Sequence, residues 1–85
     1  MMVIEFYSPR CKSCKIVEKY LEEALKNYNV KLMKVNVLEN RDFARKFKVI
    51  ALPVIVALKD GVEVGRLKGV RRRDEIESFL KDVFG

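Results

Sequence analysis

The chain contains two cysteines, Cys11 and Cys14, and only two residues separate them. Two thiols at this spacing can give up two electrons together and join as a disulfide, so the pair indicates thiol–disulfide exchange. The alternative is that the pair supplies half of a metal site. A structural zinc site has four ligands, and this chain has no histidine and no third cysteine. A metal ion or iron–sulfur cluster shared between two subunits therefore stays open as a second interpretation.

The residues around the pair favour the thiolate form of Cys11. An apolar run at 2–7 precedes it and a segment with helical apolar spacing follows it, so Cys11 is predicted to lie where a strand ends and a helix begins. The first N–H groups of a helix are unpaired and its dipole is positive at that end, so an anion is stabilised there. Arg10, Lys12 and Lys15 add positive charge. We therefore expect Cys11 to be the nucleophile and Cys14 the resolving thiol.

The remaining elements must position this pair. Apolar spacing predicts a helix from about Cys11 to Tyr28, with Ile16 on its buried face. The elements predicted after it are a strand at 30–37, a helix at about 39–47, a strand headed by Pro53, a hairpin turn at 59–61, an edge strand at 62–67 and a helix from about residue 74. Asp74 and Glu77 have the spacing of a capping box. The order βαβαββα predicts one α/β domain over residues 1–85, with a four-stranded mixed sheet and three helices on its faces.

The net charge of +6 bears on possible partners. The basic residues are spread along the sequence among twelve acids, which predicts a solvated surface and argues against a nucleic-acid-binding domain. Arg71, Arg72 and Arg73 are interpreted as a solvated turn, the alternative being a docking patch for an acidic partner. No apolar run approaches the ~20 residues of a membrane span, and no signal peptide or membrane partner is expected.

The composition also bears on the source of the chain. It has no His, Trp, Gln or Thr and is rich in Lys, Glu and Arg, a balance that predicts a heat-adapted source. A melting midpoint in the mesophile range of about 45–65 °C would contradict this prediction.

Four motifs extend the argument from the cysteines to most of the chain. They are Cys-Lys-Ser-Cys between strand and helix, Lys-Val-Asn-Val at 34–37, Val-Ile-Ala-Leu-Pro-Val at 49–54, and a hairpin followed by Gly69 and an amphipathic helix. Together they resemble the thioredoxin and glutaredoxin superfamily, in particular its small archaeal glutaredoxin-like or thioredoxin-like members. The resemblance implies a minimal thioredoxin fold that begins at the family's central strand, with a cis Pro53 facing the cysteines.

The resemblance also implies roles for other residues. Glu5 aligns with the buried acid of thioredoxins and Lys34 with its lysine neighbour, so both are candidate catalytic residues. Glu5 is interpreted either as a proton relay for Cys14 or as a partly exposed carboxylate paired with Lys34. The candidate substrate-binding residues beside the cysteines are Arg10, Lys12, Ile50, Ala51, Leu52 and Pro53.

The function that follows is reduction of protein disulfides by a monomeric, cytoplasmic oxidoreductase that needs no bound cofactor or metal. Its expected partners are disulfide-containing proteins and an electron donor like thioredoxin reductase. The inner Lys-Ser pair of the motif differs from both the thioredoxin and the glutaredoxin pattern, which leaves the reduction potential open. A glutathione-linked glutaredoxin is the alternative, although the Gly-Gly and Thr-Val-Pro glutathione motifs are missing.

Overall fold

The protein is described by a computed structural model of residues 1–85. The strands are β1 (Met2–Tyr7), β2 (Lys31–Asn36), β3 (Val54–Lys59) and β4 (Val62–Lys68), and the helices are α1 (Lys12–Leu25), α2 (Arg41–Lys46) and α3 (Arg73–Phe84). The order βαβαββα and the α/β class are confirmed. Each predicted element exists. Their ends differ from the prediction by no more than three residues, and β1 has the predicted bounds.

The sheet has the strand order β2-β1-β3-β4. β1 runs parallel to β2, as the α1 crossover between them requires, and antiparallel to β3, which pairs antiparallel with β4. β1 and β3 are therefore central strands. Their nearly continuous apolar sequences match this position, because a central strand covered on both faces buries the side chains in its middle whichever way they point.

Side chains alternate across β1, so the two faces of the sheet have separate cores. Val3 belongs to the core beneath α1 and α3, whereas Ile4 and Phe6 belong to the core beneath α2. The buried members of the α1/α3 core are Val3, Val17, Leu21, Ala24, Leu25, Ile55, Ile76 and Leu80. Those of the α2 core are Ile4, Phe6, Val35, Ala44, Val54 and Val56.

The α1 helix differs from the prediction at both its end and its face. It ends at Leu25 rather than Tyr28, and Lys26 and Asn27 close it with short-range backbone hydrogen bonds to Glu23 and Ala24. Ile16 was expected on the buried face, but 52% of it is exposed. The prediction for Ile16 was wrong because α1 packs on the sheet through a narrower stripe, which includes Val17.

The start of α3 corrects a second prediction. The capping interaction is not between Asp74 and Glu77: the helix begins at Arg73, and the Glu75 carboxylate accepts a hydrogen bond from the backbone N–H of Arg72 at 3.0 Å. The sequence has acids at 74, 75 and 77, so spacing alone did not single out Glu75. The hairpin prediction is confirmed, with Asp60 and Gly61 both at positive φ between β3 and β4.

Candidate active site

Cys11 and Cys14 form a disulfide at the start of α1, with their Cα atoms 5.3 Å apart. Cys11 is the N-cap residue of the helix, and its Sγ accepts a hydrogen bond from the Cys14 backbone N–H at 3.2 Å. The Ser13 hydroxyl lies 3.5 Å from the same sulfur. A thiolate on Cys11 would therefore accept a hydrogen bond from an N–H that has no partner within the helix, and it would lie at the positive end of the helix dipole.

The two sulfurs differ in access. Cys11 is partly exposed beyond the end of β1, whereas only 2% of Cys14 is exposed. The difference follows from the helix, because Cys14 lies three residues further along and faces the sheet. A partner's sulfur can reach Cys11 but not Cys14, so this geometry can perform thiol–disulfide exchange in two ordered steps.

Glu5 lies in the middle of β1 and is completely buried, with 0% exposure. Alternation along the strand places it on the same face as Val3, beneath α1. Neither carboxylate oxygen has a hydrogen-bond partner. Burial, with a further contribution from the negative charge of Glu18, raises the pKa of Glu5 to about 8. Glu5 is therefore mostly protonated and uncharged at pH 7.

The Lys34 ammonium does not pair with Glu5, although the two residues are register partners on β1 and β2. Its Nζ instead lies 3.2 Å from a carboxylate oxygen of Glu18 and 3.2 Å from one of Glu22, both on α1. The hydrogen bond to Glu22 is the main cause that raises the pKa of Lys34. The interpretation of Glu5 as a partly exposed partner of Lys34 was wrong, because α1 covers the carboxyl group and Lys34 pairs with Glu18 and Glu22 at the protein surface.

Sequence reasoning missed Glu18 and Glu22. They follow Cys14 at intervals of four residues, so the three side chains lie along one side of α1. That spacing was visible in the sequence. What it could not show was that β2 would bring Lys34 to the same place.

The predicted substrate-binding residues lie on the segment that enters β3 and on the loop after β1. Pro53 is buried and its bond to Leu52 is cis, as the resemblance implied. Leu52 is half-buried, Ala51 is exposed, and Ile50 is 97% exposed. Arg10 and Lys12 are exposed on either side of Cys11. Because Phe6 at the end of β1 pairs with Val54 at the start of β3, both groups lie at one end of the sheet.

Two further observations concern metal binding and membrane insertion. No group of three or more His, Cys, Asp or Glu side chains is arranged to hold a metal ion. None of the helices combines the length and apolar character that crossing a bilayer requires.

The chain matches a family model described as Thioredoxin over residues 1–82. It is 31% identical over 86 residues to the mitochondrial thioredoxin of Bos taurus, an alignment that covers 99% of this chain and 52% of that protein. It is 38% identical over 77 residues to a thioredoxin H-type of Fagopyrum esculentum, covering 89% of this chain and 66% of the relative. The chain thus spans about half the length of the mitochondrial relatives it matches.

Solved structures show the same likeness. Mitochondrial thioredoxin 3 of Saccharomyces cerevisiae, in its oxidised form, superposes with a TM-score of 0.87 at 32% identity, covering 96% of this chain and 77% of that one. A malarial protein superposes with a TM-score of 0.86 at 26% identity, covering 99% of this chain and 97% of the other.

Proposed function

The chain belongs to the thioredoxin family, and on that premise we propose that it reduces protein disulfides through a reversible disulfide between Cys11 and Cys14. The observation that carries the proposal is the position of the pair. Cys11 is accessible and caps a helix with its sulfur, and Cys14 is buried one helical turn further on. A pair with one open and one shielded thiol is suited to attack by the first and release by the second.

In the first step, the Cys11 thiolate attacks one sulfur of the target's disulfide. A bond forms between Cys11 Sγ and that sulfur, the target's S–S bond breaks, and the other target sulfur leaves as a thiolate that takes a proton from water. The Cys14 N–H and the helix dipole stabilise the thiolate before attack. The product is a mixed disulfide between Cys11 and the target.

In the second step, Cys14 attacks the Cys11 sulfur. The Cys11–Cys14 bond forms, the mixed disulfide breaks, and the target's remaining sulfur leaves as a thiolate, so that two electrons have passed from this protein to the target. Cys14 must first lose its proton. We assign Glu5 as the acceptor, because it is a carboxyl group buried beneath α1 and neither of its oxygens has a hydrogen-bond partner. Lys34 acts on Glu5 only through its charge, since its ammonium is bound to Glu18 and Glu22.

The target's backbone would lie along residues 50–53, beside the disulfide, with Arg10 and Lys12 at the edge of the same surface. The exposure of Ile50 and Ala51 supports this placement. Electrons would return from a protein reductase rather than from glutathione, because the chain has no recognisable glutathione motif. A monomer in the cytoplasm stays our prediction; some relatives are mitochondrial by name.

The experiment that tests the proposed function is a redox titration in thiol buffers, with the Cys11–Cys14 disulfide measured by alkylation and mass. We expect a reduction potential of about −270 mV, which is typical of a reductant, whereas a potential of about −200 mV would favour glutathione-linked use. A potential of about −120 mV would make the protein an oxidant. Failure to form an intramolecular disulfide at any potential would overturn the proposal in favour of a metal or cluster shared between subunits.

Two serine variants test the order of the steps. With a disulfide-bonded test protein, Cys14→Ser should accumulate the mixed disulfide on Cys11, and Cys11→Ser should accumulate none, because the remaining thiol is buried. Ser13→Ala is the control that leaves both thiols in place. Accumulation of a mixed disulfide on Cys14 in the Cys11→Ser variant would reverse the assigned roles.

A further inference from the structure

Three segments far apart in the sequence meet at the end of the sheet where the disulfide lies. They are residues 8–15, 49–53 and 68–73, and together we call them the cysteine-end surface. Strand pairing sets their order, because Phe6 pairs with Val54 and Val54 pairs with Lys68. The backbone N–H of Gly69 also donates to the Pro53 carbonyl at 2.8 Å, which ties the third segment to the second.

The cysteine-end surface contains basic residues and no acid. Its seven cations are Arg10, Lys12, Lys15, Lys68, Arg71, Arg72 and Arg73. The rest of the chain has eleven cations and twelve acids, so its net charge is −1. The whole net positive charge of the protein therefore comes from this one surface.

Most of this charge is not used within the fold. Four of the seven cations form no ion pair, namely Arg10, Lys12, Lys15 and Lys68. The three arginines pair with Glu75, Asp74 and Glu23, all of which lie outside the surface. The pairs of Arg72 and Arg73 are exposed to solvent and neutralise these arginines only in part, whereas the Arg71–Glu75 pair is half-buried. The surface is free to attract an anionic partner.

Apolar side chains lie among these cations. Ile50 is 97% exposed and Val70 is 63% exposed. Beside Val70, a cleft of about 560 Å³ opens between α1 and the start of α3. It is lined by Ile16, Tyr20, the three arginines and two acids of α3, Asp74 and Glu77. Arg73 covers the Tyr20 ring, with its guanidinium carbon 5.1 Å from the ring centroid. The surface thus offers aliphatic contacts and no open aromatic ring on which a nucleic-acid base could stack.

We propose that the cysteine-end surface selects disulfide-bonded proteins that carry acidic residues beside the disulfide, and disfavours those that carry basic ones. This inference rests on the proposed function and adds to it the class of substrate. Acidic groups next to the target sulfurs would be drawn to the seven cations, which raises the rate of encounter, while the aliphatic residues accept the target's own apolar side chains. Selection of this kind acts on association and weakens with salt.

The test uses three synthetic peptides, each closed by one disulfide and identical except for four flanking residues, which are acidic, neutral or basic. The rate constant for reduction by the reduced protein is measured for each at low and at high salt. We expect the acidic peptide to react at least about tenfold faster than the basic one at low salt, with the ratio falling towards one at high salt.

Two charge-reversal variants with the same net charge locate the effect. Lys15→Glu with Lys68→Glu changes the cysteine-end surface, whereas Lys26→Glu with Lys59→Glu changes exposed lysines in the loop after α1 and at the end of β3. The first variant should lose most of the acid-to-base rate ratio and the second should keep it. Using the ratio removes any change in the reactivity of Cys11 itself.

The outcomes separate this inference from the function on which it rests. Reduction of all three peptides at equal rates would overturn the selectivity and leave the oxidoreductase intact. Reduction of none of them would count against the oxidoreductase itself. Equal loss of the ratio in both variants would overturn the local assignment in favour of net charge. Binding of a single-stranded RNA more tightly than the acidic peptide at the same salt would assign the surface to nucleic acid instead.

Discussion

On the α2 face of the sheet, the buried side chains beneath the helix are all apolar, whereas the α1/α3 face encloses a carboxyl group. The first face is closed by Phe6, which packs against Phe43 and Phe47 with ring centroids 6.0 and 5.6 Å away. The second holds Glu5 beside Val3, without a hydrogen-bond partner. Glu5 and Phe6 are neighbours on β1 but lie on opposite faces of the sheet. Phe6 is a buried apolar side chain among other rings, whereas Glu5 is a buried polar side chain without a partner.

The difference between the two faces is that only the α1/α3 face contains a group that can destabilise the protein. Apolar burial stabilises the protein at any pH, while a buried carboxyl group without partners destabilises it whenever it is ionised. Such a group has a physical reason to be present if it exchanges a proton during the reaction, and the α1/α3 face is the one that contains Cys14. The core beneath α2 is entirely apolar, whereas the α1/α3 face also encloses Glu5 and Cys14.

The largest predicted effect concerns the pH dependence of stability. The pKa of Glu5 is about 8 in the folded protein, against about 4.3 in an unfolded chain. Because folding raises this pKa, proton binding to Glu5 stabilises the folded protein. This stabilisation is fully present below about pH 4.3 and is lost as the pH rises through about 8. Relative to Glu5→Gln, the oxidised wild-type protein should lose about 4 kcal/mol between pH 4.5 and 8.5.

Urea unfolding of both proteins at several pH values measures this difference. The free energy of burying the amide in Glu5→Gln does not change with pH, so it does not affect how the difference between the two proteins varies with pH. Glu77→Gln, which alters an exposed acid outside the ion pairs, serves as the control and should follow the wild type. Parallel curves for wild type and Glu5→Gln would show that the buried carboxyl does not titrate with a raised pKa.

The second effect concerns the rate at which Cys14 attacks the mixed disulfide and releases the target. If Glu5 accepts the Cys14 proton, Glu5→Gln should slow release of the reduced target from the mixed disulfide by about 100-fold. In the wild type this rate should increase with pH up to about 8, as the carboxylate forms. Rapid quenching and mass analysis of the mixed disulfide give the rate. An unchanged rate with an unchanged pH profile would remove Glu5 from the mechanism.

The third effect tests the apolar face. Phe6→Leu should lower the free energy of unfolding by about 1–2 kcal/mol through lost contacts with Phe43 and Phe47, by the same amount at every pH. The potential of the Cys11–Cys14 pair should stay the same. Unfolding and redox titrations of the same variant provide both readouts. A large change in potential would contradict the separation of the two faces.

The smallest predicted effects are shifts in the pKa of Glu5, and they have opposite signs in two variants. Lys34→Met removes a positive charge that lowers the pKa of Glu5, so this pKa should increase. Glu18→Gln removes a negative charge that raises it and frees Lys34 from one of its two carboxylates, so the pKa should decrease. The pH dependence of unfolding for each variant reports the shift. Shifts of the same sign would contradict our account of the charges around Glu5.

The sequence by itself determined the order of the elements and the position of Cys11 before a helix, because apolar periodicity and turn residues act over a few neighbouring residues. It also indicated redox chemistry, since only two cysteines are present and they stand close together. It could not decide the state of Glu5, whose burial depends on α1 covering β1. Nor could it show that Lys34 would bind acids 12 and 16 residues away.

Tertiary structure also decided the distribution of charge. Along the sequence the basic residues are spread among acids, which led us to predict an ordinary solvated surface. In the fold, residues 8–15 and 68–73 meet beside the disulfide and bring seven cations together, and acids of α1 and α3 pair with only three of them. Strand pairing joins residues about sixty positions apart, and electrostatic potential depends on distance in space, so only the folded chain reveals this surface.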